Sequence, residues 1–110
     1  MSVNAFSPLG LTVTFTAATT APTSASAPSS APTTRPVREF RIVNAGTEVV
    51  LLGVGVNDTA AKAAAASIAA GAVPVLPGAV EIIGFPAGSY FTGKTAANTS
   101  VIYVTPGEGL

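Results

Sequence analysis

The chain has no cysteine and no histidine among its 110 residues. Without cysteine, a disulfide framework and a thiolate metal site are both excluded. Without histidine, the commonest general base and the commonest metal ligand are missing together. Tryptophan is absent too, and five Phe and two Tyr are the only large aromatics available to a core. Charge is scarce: five basic and five acidic residues cancel to zero. So neutral a chain has no electrostatic footprint for nucleic acid or for an anionic membrane. It is also poorly protected against self-association, which suits a protein that works bound to others. No run approaches the roughly 18 apolar residues of a membrane span. The N-terminus MSVNAFSPLGLTVTF lacks the basic start of a secretory signal, so we expect synthesis in a cytoplasm.

What is present is a succession of short apolar runs punctuated by Pro and Gly, the pattern of an antiparallel sheet. In Leu9–Ala17, Leu11, Val13 and Phe15 alternate with Thr12, Thr14 and Thr16, which predicts a half-buried strand. Residues 18–36 are almost wholly Ala, Thr, Ser and Pro, too poor in apolar area for a core. They read either as a linker or as an extended arm lying on a neighbouring subunit. Val37–Asn44 predicts a strand with Phe40 and Ile42 inward and Glu39 and Arg41 outward. Glu48–Val56 is nearly all apolar and so predicts a strand covered on both faces. Gly53 and Gly55 within it mark a bulge or a close backbone approach.

Asp58–Ala70 is the one helical candidate, with Asn57 or Asp58 as its cap and Gly71 as its end. Its alanines require very close packing or leave it partly exposed. Pro74 makes Ala72–Leu76 an edge strand at most. The remainder, Pro77–Leu110, reads as two hairpin-like passes: Val80–Phe85 turning into Ser89–Thr92, then a polar loop leading to Val101–Val104. Strand alternation places Phe40, Ile42, Leu51, Ile82 and Tyr103 in the core.

One motif match is literal. Gly88-Ser-Tyr-Phe-Thr-Gly-Lys-Thr95 satisfies the phosphate-binding pattern G-x-x-x-x-G-K-[ST]. That chemistry needs a helix directly after the loop, with its N-terminus facing the anion. Here Ala96–Ser100 is too short for one, so we read the match as turn residues. Acidic residues stand singly, one per segment, and we expect no catalytic residue, no metal site and no cofactor.

The strings FRIVNAGTEVVLLGVG, LPGAVEIIGFPAGSYFTG and VIYVTPGEGL resemble small structural proteins of tailed bacteriophages, the capsid decoration (cement) and head-associated proteins. The resemblance covers residues 37–110. It implies a β-rich protein present in many copies on the virion capsid surface, bound to the major capsid protein and made in the host bacterial cytoplasm.

We therefore expect an all-β fold, a small antiparallel β-sandwich or barrel-like body with one short helical segment and an extended N-terminal arm. Residues 1–36 would form the first strand and arm, and 37–110 the β-rich domain. A folded unit this small gains from oligomerisation, and a homo-oligomer is expected, a trimer in the first instance. Leu11, Val13, Phe15, Tyr90 and Phe91 are the candidate interface. The arm would dock across subunits, so that its deletion weakens assembly more than folding. The competing classes are a tail or fibre-base protein, a glycan-binding β-module and, last, a nucleotide-binding enzyme.

Overall fold

The computed structural model describes residues 7–8, 10–26, 39–86 and 88–108. The second half of the proline-rich arm, residues 27–38, lies outside them. The described residues form nine strands and one α-helix, in the order β1 (Ser7–Pro8), β2 (Val13–Ala17), β3 (Ala25–Ser26), β4 (Glu39–Asn44), β5 (Val50–Gly55), α1 (Asp58–Ala65), β6 (Val73–Val75), β7 (Val80–Gly84), β8 (Tyr90–Lys94) and β9 (Ser100–Glu108). Two antiparallel sheets result. Sheet A runs β1-β9-β4-β7, with β2 also paired to β9, and sheet B runs β3-β8-β5-β6. This is the expected all-β sandwich.

The core lies between the sheets, and alternation explains which residues fill it. In β4, Phe40 and Ile42 point in and are buried while Glu39, Arg41 and Val43 are half-exposed. Phe15 and Ala17 enter from β2, Val50 and Leu52 from β5, and Ile102 and Val104 from β9. Three phenylalanines join the layers. The Phe91 ring meets Phe40 edge-on at 4.9 Å between centroids and Phe85 at 5.6 Å. Edge-to-face contacts of this kind add to what area burial alone contributes.

Three of the five core assignments change. Ile82 and Tyr103 are 51% and 42% exposed, on the outer face of sheet A. Leu51 is half-buried on the outer side of β5, where its neighbours Val50 and Leu52 are the core residues. In VIYV both alternation parities are apolar, so hydrophobicity cannot say which side faces in; in VEIIG the charge of Glu81 points the wrong way, since Glu81 pairs with buried Ile42 and Ile82 with Arg41.

The two apparent hairpins are also reassigned. β7 pairs with β4 in sheet A, whereas β8 pairs with β5 in sheet B, and β9 returns to sheet A. Both turns are arches between layers. A Pro/Gly signal marks a reversal without saying whether the next strand lies beside or across.

The described part of the arm lies on its own chain. β2 pairs with β9 of its own chain over five residues, Val13↔Val104 to Ala17↔Ser100. Beyond it the chain crosses to sheet B. Thr95 N donates to Ala18 O, Thr92 Oγ1 donates to Pro22 O, and Ala25 and Ser26 pair with Phe91 and Tyr90. Residues 10–26 are thus stitched into both sheets.

α1 is shorter than the sequence suggests. Asn57 caps it, accepting from Ala60 N at 2.8 Å, and it ends at Ala65. Ser67 then caps a separate 3-10 turn, Ile68–Ala70, closed by Gly71 in the left-handed region at φ 109°. A Cβ at Gly53 would lie 2.5 Å from Ala65 N, and one at Gly55 would lie 2.6 Å from Ala61 N. The two glycines therefore let the helix rest directly on β5, burying Ala61 and Ala65 completely. Close approach is what those strand glycines provide.

Candidate interaction surface

The phosphate-loop octapeptide has a structural use at nearly every position. Gly88 takes φ 80° in the turn before β8. Phe91 is core. Gly93 faces the core too, where a Cβ would meet Val50 Cγ1 at 2.6 Å and Phe15 Cε1 at 3.1 Å. Thr95 Oγ1 donates to Asn98 O at 2.7 Å, closing the turn into β9. The stretch from Tyr90 to Lys94 is a β-strand, and the next described element is the strand β9. The loop-then-helix cradle that a phosphate site requires is not formed.

The five interface candidates do not converge. Phe15 and Phe91 are buried within the chain's own core, and Val13 packs against that core. The intramolecular β2–β9 pairing places all three in or against the chain's own core. Leu11 remains 85% exposed before β2, and Tyr90 is half-buried on the outer side of sheet B. Two layers separate the latter from the outer side of sheet A.

A different surface emerges from comparing the two outer faces. That of sheet B is covered by α1 and by residues 18–24. On that of sheet A, Val80, Ile82 and Tyr103 are exposed, while Thr105 is buried. Cross-strand register defines its composition. Thr14, Tyr103, Val43 and Val80 form one rung across β2, β9, β4 and β7. The neighbouring rung is Thr105, Arg41 and Ile82. Thr12 Oγ1 extends it through a 2.7 Å hydrogen bond with Thr105 Oγ1. Val101 lies opposite Thr16.

An antiparallel sheet with one face in water ordinarily places polar residues there. Here Val43, Val80, Ile82 and Tyr103 make an apolar patch toward the β7 side, with Val80 59%, Ile82 51% and Tyr103 42% exposed, while Arg41 and the buried Thr105 interrupt it at the centre. Threonines border the patch on the β2 side. β7 is also an edge strand, without the proline that protects the β6 edge of sheet B. An apolar face continuous with such an edge is the form in which a folded β-protein contacts another. Hydrophobicity alone could not have found it, since the same residues read equally well as core.

Among the described residues no three His, Cys, Asp or Glu side chains come together to hold a metal, and no helix is long and apolar enough to cross a membrane. Comparison with known proteins gave no matching family model, no matching curated protein and no matching solved structure.

Proposed function

We propose that this protein is a non-enzymatic structural module that attaches to the capsid shell of a tailed bacteriophage through the outer face of sheet A. The observation carrying this reading is the apolar patch of Val43, Val80, Ile82 and Tyr103, the last three of them exposed. A rigid sandwich behind it holds those side chains in fixed register, so docking costs little conformational entropy. The resemblance of residues 37–110 to decoration and head-associated proteins supplies the partner, the major capsid protein. Zero net charge sets up no long-range repulsion between copies, which suits a homo-oligomer carried many times on one particle. Light scattering reads the copy number, with a trimer expected.

Attachment is tested by co-sedimentation with undecorated heads, using Ile82→Lys and Tyr103→Glu. Both substitutions place a charge on the exposed face, leave the core untouched and should abolish co-sedimentation at unchanged thermal stability. Full attachment of both variants would refute the reading.

A further inference from the structure

On the opposite layer of the sandwich, a cleft of about 230 Å³ opens between residues 19–21, α1 and the end of β8. Its lining is Thr19, Thr20, Ala21, Lys62, Ala66 and Lys94, so two of the chain's five basic residues meet in one place. The single acid beside it is already engaged. Asp58 Oδ1 accepts from Ser24 N at 2.7 Å and from Ser24 Oγ at 2.8 Å, and Oδ2 lies 3.3 Å from Lys62 Nζ. The Ser24 amide first, then its hydroxyl, hold the Asp58 carboxyl below its ordinary range, with Lys62 adding to the effect. Lys62 thus lines the cleft as one half of an ion pair, while Lys94 has no ion-pair partner among the described residues.

We propose that this cleft binds one oxyanionic group, with Lys94 and Lys62 as its cations and the Thr19 and Thr20 hydroxyls as neutral donors. Two lysines against one carboxylate leave the site a net positive charge, and hydrogen bonds from ammonium to oxyanion are among the stronger polar contacts. Size restricts the ligand. The cleft is smaller than the roughly 300–1,000 Å³ of sites that enclose organic ligands, so it takes a group and not a nucleotide. Free phosphate and the carboxylate of an acidic side chain on a partner protein share the required chemistry. The site is independent of sheet A: its residues and its variants are separate, and either proposal can fail alone.

The test is amide NMR on the full chain, titrated with inorganic phosphate and separately with an acetylated Glu-Glu dipeptide. Saturable shifts at Thr19, Thr20, Lys62 and Lys94, weakened by added salt, are expected. Lys94→Gln should reduce affinity about tenfold or more, as loss of one charged hydrogen bond does. Lys62→Gln, on the exposed side of α1, gives the same reading from a position where the fold is not at risk. Tighter binding of the dipeptide identifies a partner's carboxylate as the ligand, and tighter binding of phosphate identifies the free ion. No saturable shift with either probe, or equal affinity in wild type and both variants, would overturn the proposal.

Discussion

The Ser100 hydroxyl donates to Asn44 Oδ1 at 2.7 Å, with both residues buried. Asn44 satisfies its whole amide in that position. Oδ1 also accepts from Gly46 N at 3.1 Å, and Nδ2 donates to Glu48 O at 2.8 Å and Val75 O at 2.9 Å. One side chain thus ties the end of β4 and the turn after it to β6 in the other sheet and to the start of β9. A buried polar group so fully paired rigidifies a core, and removing it strands four partners at once. Asn44→Ala should cost about 2–5 kcal/mol in thermal or urea unfolding, while Ser100→Ala should cost about 1 kcal/mol. Equal and small effects would mean that water replaces the side chain without loss.

The contact between α1 and β5 gives a second prediction. Gly53→Ala puts a methyl group where the helix backbone already lies, and overpacking of this sort costs about 1–3 kcal/mol. Thermal unfolding of Gly53→Ala and Gly55→Ala should show that loss. Wild-type stability in both would mean that α1 does not sit on the strand.

How much of this was readable in advance depends on what each segment offers. In β4 the charges of Glu39 and Arg41 mark the outer side, so Phe40 and Ile42 identify themselves as core. The paired glycines left a bulge or a close approach open and the alanines of Asp58–Ala65 close packing or exposure, and one helix–strand contact resolves both. β9 offers no such contrast at Tyr103, and in β7 the charge of Glu81 marks the wrong side, so Ile82 reads as core. Nor does a turn signal say which layer comes next, so two arches looked like hairpins. The apolar face of sheet A was hidden for the first of these reasons. The short polar loop after Lys94 did reveal that no phosphate-binding helix follows.

The reassignment of Ile82 is directly measurable. Phe40→Ala and Phe91→Ala should each cost about 3–5 kcal/mol, since both are fully buried in the aromatic cluster. Ile82→Ala should stay within about 1 kcal/mol of wild type, as an exposed strand position does. A large loss at Ile82 in chemical denaturation would return it to the core.

Truncation separates the intramolecular arm from the cross-subunit arm. Residues 37–110 alone lose β2, and with it Phe15, Ala17 and five paired positions along β9. Circular dichroism should show that this fragment lacks a cooperative melt, whereas the full chain has one. A fragment that melts like the full chain would mean that β2 is dispensable to the fold.

The attachment of sheet A to a capsid shell is tested most directly by a cryo-EM map of the particle that carries this protein. The account predicts density for the sandwich with Val80, Ile82 and Tyr103 buried against the shell and α1 turned away from it. A map in which α1 makes the contact while sheet A faces solvent, or in which the protein is absent from the particle, would contradict it.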